Sequence, residues 1–330
     1  MVREFVIGLC IGLIWSSSLG QERKQTDLPT PEDIKMLIEQ EKFQQARDQL
    51  LKMPSDFQSS AQAIEMTGDL YGGLKLWDSA MVYYEQLKTI QPNNASGYFK
   101  YGGALGMMAL SKNKFTALMY LDDIEASFKD AITVDPSYVE AYWALIEYYL
   151  KVPGIIGGGP DKAMKQADLL FEISPVDGWM ARAKIAEEDE DFSEAEHGYL
   201  MAVTQGQSVW AYMGLVSFYE RQQRWEEGFQ QLKQAMIQLD DLRLNYLWAK
   251  LSVLSNMHVQ QGLEYIQQCL EKGNSLKNIP EQWVRLRYAQ LLRLNGQNGV
   301  ALDQVNLALA LKQDFKEALS EQKILRKLLK

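Results

Sequence analysis

The 330-residue chain is poor in the side chains that most active sites are built from. It has two cysteines, Cys10 and Cys269, and two histidines, His197 and His258. Cys10 lies in an apolar run near the start, Phe5–Trp15. Once that run is removed, Cys269 stands alone and no intrachain disulfide can form. His197 and His258 are far apart in the sequence, and neither has beside it the partners of a metal site or a catalytic triad. No catalytic residue, metal ligand or cofactor is expected. Positive charge is also scarce, with 34 Lys and Arg against 43 Asp and Glu and a net charge of −9. Nucleic-acid binding is driven by clustered Lys and Arg, so that class of partner is set aside.

Long apolar runs are missing too. The eleven residues Phe5–Trp15 are too few for a bilayer core of about 30 Å, which takes about 20 helical residues. A single arginine precedes the run and small residues follow it, ending at Gly20. This is the layout of a cleavable secretory signal peptide over residues 1–20, with cleavage before Gln21. Leu9 precedes Cys10 inside the run, which argues against lipid anchoring. The expected product is exported to a bacterial periplasm, with no stable membrane insertion after cleavage and a flexible leader over 21–29. A hydrophobic content of 47% then supplies a large core without disulfides.

What the chain does have is periodicity. "EKFQQARDQLL" (41–51) and "KLWDSAMVYYE" (75–85) place an aromatic, a small and a large residue at equal offsets: Phe43, Ala46, Leu50 and Trp77, Ala80, Tyr84. From the small residue the series runs on through Ile124, Ala163, Ala195, Gly228, Gly262 and Ala301, in steps of 34, 44, 39, 32, 33, 34 and 39. That is a 34-residue unit with three insertions. Pro92, Pro136 and Pro175 each follow their anchor by twelve residues, the length of a second helix and its exit turn. Within each half unit, as in "AYWALIEYYL", apolar residues recur at spacings of three and four, so each half is an amphipathic helix. Neither helix can bury its stripe alone, and neighbours must stack.

At Gly68, Tyr71, Ala80, Tyr84 and Pro92 the repeat 61–94 resembles the tetratricopeptide repeat (TPR) family. Tyr98, Gly102, Phe128, Ala131 and Pro136 extend the likeness, as do Ala195, Tyr199 and Ala202. The resemblance implies an all-α, right-handed solenoid of stacked antiparallel helix pairs over 30–315. Its eight repeats fall at 27–60, 61–94, 95–138, 139–175, 176–208, 209–242, 243–276 and 282–315. Residues 316–330 read as a capping helix. Thr30, Pro31 and Asp33 read as an N-cap, a first-turn proline and an early acid that open the first helix.

In TPR proteins the first helix of each repeat lines the concave face. By that resemblance the candidate peptide-binding groove holds Glu65, Asp69, Phe99, Trp143, Met180, Trp210, Met213 and Leu247, with Gln62, Gly103, Glu147 and Leu251 beside them. Aromatic and methionine anchors suit an extended or helical protein segment. Glu65 and Asp69 have the wrong sign for gripping a partner's C-terminal carboxylate. The predicted function is a non-catalytic exported scaffold or adaptor for a protein or peptide, with oligomerisation left open. The competing reading is a small-molecule-binding accessory protein, similar to TPR subunits associated with TRAP-type transporters, with a pocket near an inserted segment at 107–130. That insertion is expected to lengthen both helices of its repeat.

"VPGIIGGGPDKA" (152–163) departs from the phosphate-cradling loop motif, because Pro160 and Asp161 stand where Lys and Ser or Thr are needed. It reads as an insertion between two helices. Gly157, Gly158 and Gly159, beside the following helix start, remain a possible anion-binding loop. The acidic run from Glu187 to Glu196 reads as a turn and a solvated helix start, without the spacing of a calcium loop. Cys269 reads as a small buried packing residue.

Overall fold

The computed structural model describes residues 29–272, 276 and 279–330, and at 114 and 115 the backbone alone. The expected signal peptide (1–20) and all but the last residue of the expected leader (21–29) lie outside the described residues. Among the described residues all regular structure is helical, and none of the helices is long and apolar enough to cross a membrane. The chain divides inside one helix, at Ala181 and Arg182, into two compact halves.

The N-terminal half holds α1 (Pro31–Glu39), α2 (Phe43–Leu50), the short α3 (Ser55–Gln58), α4 (Ala61–Gly73), α5 (Trp77–Ile90) and α6 (Ala95–Ser111). It continues with the short α7 (Lys114–Leu118), α8 (Leu121–Val134), α9 (Val139–Lys151), α10 (Pro160–Ile173) and the beginning of α11 (Pro175–Glu188). Thr30 opens α1 with a capping box: its Oγ1 accepts from Asp33 N at 3.2 Å and its own N–H donates to Asp33 Oδ2 at 3.0 Å. Two of the four amides left orphaned at a helix start are satisfied this way. Each consecutive pair, α4 with α5, α6 with α8 and α9 with α10, packs face to face, and each pair packs on the next.

The small anchors explain the close approach. Ala46, Ala80 and Ala163 are completely buried. At Gly68 a Cβ atom would stand 2.5 Å from the Tyr84 ring, so glycine on α4 is what lets the tyrosine of α5 lie across it. The insertion after α6 differs from expectation. α6 grows to 17 residues, while α8 keeps the 14 of α5. The remaining inserted residues form α7 and its turns, because Asn113 caps a new helix by accepting from Thr116 N at 3.1 Å.

The C-terminal half holds the rest of α11 with α12 (Phe192–Gly206), α13 (Val209–Arg221), α14 (Trp225–Gln238), α15 (Leu242–Ser255), α16 (Val259–Glu271), α17 (Glu281–Leu294), α18 (Asn298–Leu311) and α19 (Lys316–Leu328). Pairing again follows sequence order: α13 with α14, α15 with α16, α17 with α18. Helix α19 packs on both α17 and α18 through the buried Ala318 and Leu325. Glu321, also buried, is ion-paired with Arg293 of α17, so a charged pair as well as an apolar stripe fastens the last helix.

Candidate interaction surface

Helix α13 has one open face. Val209, Ala211, Tyr212, Leu215, Val216, Phe218 and Tyr219 are buried, whereas positions 210, 213, 214, 217, 220 and 221 are exposed or half-buried. Spacings of three, four and seven put these on one side of a helix. Trp210, at 46% exposed, and the half-buried Met213 occupy its first turns. Its far end is charged and tied to neighbouring first helices. Arg221 is ion-paired with Glu187 of α11, its Nη2 donating to Oε2 at 2.7 Å, and Glu220 pairs with Lys250 of α15 at 3.0 Å. Burial and Glu187 act in opposite senses on the Arg221 guanidinium, and its pKa is raised.

The N-terminal half carries a second polar knot between first helices. Lys100 Nζ of α6 lies 2.8 Å from Glu65 Oε1 and 2.7 Å from Asp69 Oδ2 of α4. Ser96 donates to Glu65 Oε1 at 2.6 Å, and Tyr84 donates to Asp69 Oδ1 at 2.9 Å. Burial disfavours both charged forms, yet the pairing prevails: the Lys100 pKa is raised and that of Glu65 is lowered. Glu65 and Asp69 are therefore partners of a cation in their own chain. Sequence reading missed Lys100 and Arg221. The signal was present, since Lys100 follows Glu65 by 35 residues and Arg221 follows Glu187 by 34. Opposite charges one repeat apart on first helices meet when repeats stack.

The other expected groove residues divide. Phe99, only 7% exposed, packs on Phe128 and Tyr138 with ring centroids 5.9 and 5.5 Å away. Met180, Leu247 and Leu251 are buried as well. These four are core residues, which corrects the expectation that Phe99, Met180, Leu247 and Leu251 line the groove. Trp143 is half-buried, and its Nε1 donates to Asp177 Oδ1 at 2.9 Å. Gln62 is exposed and Glu147 half-buried. Trp210 is the large aromatic of the set that faces solvent.

The glycine loop is closed on itself. Gly154–Ile156 form a 3₁₀ turn, and the N–H groups of Gly157, Gly158 and Gly159 donate to Gly154 O, Pro153 O and Tyr149 O at 3.2, 3.2 and 2.8 Å. Lys162 Nζ is bonded to Gly157 O at 2.6 Å. The three amides that an anion needs are already used, which corrects the reading of Gly157, Gly158 and Gly159 as an anion site. Gly158 is required sterically: a Cβ there would stand 1.7 Å from the Val152 carbonyl oxygen.

A shallow, open depression lies between the turn 90–96 and residues Asp135 and Tyr138, apart from the inserted segment 107–130. Cys269 is buried with Sγ 3.5 Å from Leu242 O, and burial pushes its thiol up to about 12, which leaves it unreactive. His258 stacks edge-on against Phe229, 4.6 Å between centroids, and near Trp248 at 5.9 Å. The acidic run spans the turn from α11 to α12, where Asp191 accepts from Glu194 N at 3.1 Å. Glu196 on the first turns of α12 is paired with Arg224.

No protein-family profile matches the sequence, and neither does any curated protein sequence. Among solved structures, yeast Tom70 superposes on 82% of this chain with a TM-score of 0.58 at 13% identity. A tetratricopeptide repeat protein of Parabacteroides merdae covers 81% of this chain and 98% of its own at 0.46 and 11%. A thermophilic TPR protein of Thermus thermophilus covers 58% and 98% at 0.42 and 16%. The match spans 57% of the length of Tom70. The Tom70 likeness is one of fold, and with the paired helices and 34-residue period it shows that this chain has the tetratricopeptide-repeat fold.

Proposed function

We propose that this protein is a non-catalytic scaffold that holds an extended or helical segment of another protein against the open face of α13, with Trp210 and Met213 as anchors. The observation that carries this reading is Trp210, left 46% exposed between Val209 and Ala211, which are buried. The fold does not need that side chain in its core. Tryptophan offers large contact area at small entropic cost and is enriched among residues that dominate binding.

Selection of displayed peptides on the native chain, with counter-selection on the Trp210→Ala variant, tests this. Enriched peptides should bind the native chain and lose at least about tenfold in affinity on Trp210→Ala, the scale of an interface anchor. Equal affinity for both chains would overturn the reading. Residues 1–20 support the further proposal that the scaffold works in the periplasm. Intact-mass measurement on the protein from fractionated cells should find a chain beginning at Gln21 in the periplasmic fraction, and an unprocessed chain in the cytoplasm would contradict it.

A further inference from the structure

On the first helices of the C-terminal half, basic side chains find acids within the chain. Arg221 pairs with Glu187, Arg243 with Asp241, Lys250 with Glu220, Arg285 with Glu281 and Arg293 with Glu321. Arg287, half-buried on α17, does not: among the described residues no carboxylate is paired with it. Its Nη1 donates to the Gln290 amide oxygen at 2.9 Å, and its guanidinium lies 5.7 Å from the centre of the Trp283 ring. The buried Tyr246 of α15 is close as well: burial raises its pKa, and the Arg287 charge works against that rise. These neighbours are all neutral. Arg287 Nε is shut off from water without an acceptor among the described residues.

A guanidinium keeps its charge at any ordinary pH, and its planar set of N–H groups matches a carboxylate. Leaving it half-buried with neutral acceptors and an unused donor lowers the stability of the free chain. The stack does not demand a charge at this place. A Cβ on Gly228 would meet Leu251, and one on Gly262 would meet Leu291, so Leu291 on α17 takes the position of Leu251 on α15. Counting back, Arg287 and Gln290 take those of Leu247 and Lys250. Leu247 is buried and apolar.

The same register sets Arg287 on the side of the stack that α13 leaves open, because Lys250 is the side chain that reaches Glu220 there. Neighbouring helix axes run about 8–10 Å apart, so α13 and α17, with α15 between them, are about 20 Å apart. An extended segment covers that in about six residues at about 3.3 Å each.

We propose that Arg287 receives the carboxylate of an Asp or Glu side chain in the segment anchored at Trp210, over the Trp283 ring. The inference rests on the scaffold reading and adds the partner's chemistry, an apolar anchor with an acid about six residues away in an extended segment. A segment crossing this face runs on past α17, so the acid is a side chain and not a chain end.

Peptides selected on the native chain, with counter-selection on Trp210→Ala, are the probes. Exchanging their acids for Gln one at a time should find one whose loss weakens binding to the native chain at least about tenfold. Arg287→Gln should bind the unchanged peptide as weakly, and the same Gln exchange should then cost nothing more. Amidating the peptide C-terminus should change nothing. Arg285→Gln, at a side chain tied to Glu281 and to Gln304 of α18, should bind like the native chain, and circular dichroism should show both variants as helical as the native chain. Peptides that need Trp210 but tolerate Gln at every acid, that lose affinity on amidation instead, or that lose as much on Arg285→Gln as on Arg287→Gln would overturn this inference and leave the scaffold reading standing. A selection that yields no peptide, or peptides indifferent to Trp210, would remove both.

Discussion

Trp143 and Asp177 stand 34 residues apart, one repeat length, and are joined by a hydrogen bond of 2.9 Å from the indole Nε1 to Asp177 Oδ1. Asp177 also accepts from Ser174 Oγ at 2.6 Å, so the bond ties the first helix of one repeat to the capped start of the next. This indole is occupied within its own chain, while Trp210 on α13 is not hidden by the fold. Trp143→Phe should lower stability to urea by about 1 kcal/mol, the usual loss of one such bond. It should leave peptide affinity unchanged, whereas Trp210→Ala should weaken affinity with little effect on the urea midpoint.

The Lys100 knot predicts a pH signature. Glu65 is held below its ordinary value of 4.5, so its contribution is present above that pH and is lost as pH falls through the depressed native value. Lys100 is raised above its ordinary 10.5, so its contribution is present below 10.5 and is lost as pH rises toward the raised value. Lys100→Met leaves two half-buried carboxylates facing one another and should cost about 1–2 kcal/mol at pH 7. In urea titrations at several pH values, the gap between native chain and variant should be widest at neutral pH and narrow below about pH 4.5. A gap that does not change with pH would show that the cost is packing alone.

Close approach at Gly68 gives a third expectation. A Cβ there would stand 2.5 Å from the Tyr84 ring, and the displaced tyrosine would strain its bond to Asp69. Gly68→Ala should therefore destabilise by about 1–3 kcal/mol, the range of overpacked cores. Alanine ordinarily favours a helix over glycine by up to about 1 kcal/mol, so a stabilised variant would contradict the packing described.

Gly158→Ala tests the glycine loop. Its Cβ would collide with a backbone carbonyl 1.7 Å away, so the loop must open rather than adjust a side chain. Hydrogen exchange should accelerate at Gly159 and its neighbours in the loop, while amides of α13 keep native rates.

The fold was legible in the sequence because its period is written in residues whose size the packing fixes. Ala46, Ala80, Ala163, Ala195 and Ala301 recur where two helices touch, and all are completely buried. The candidate surface was less legible. Each helical residue turns the side chain by about 100°, so a slip of one position in counting from a repeat boundary exchanges the open face for the core. That slip separates buried Phe99 from the half-buried Lys100 next to it. Leu247 is likewise buried, while Lys250 reaches Glu220 on the open side. The insertion before α8 misled for a different reason: Asn113 is a capping residue, and it starts a new short helix where a longer α8 was expected.

The central claim is that Trp210 marks the surface that meets another protein. A photo-crosslinking residue placed in cells at position 217, on the open face of α13 two turns from the retained Trp210, with the same residue at 237 as an exposed helical control, tests it most directly. Irradiation should join a single recurrent protein species to the chain from position 217 and not from 237, with yield saturating as that species is raised and falling when Trp210→Ala is added. Equal labelling from both positions, or labelling from 217 that Trp210→Ala leaves unchanged, would contradict the account.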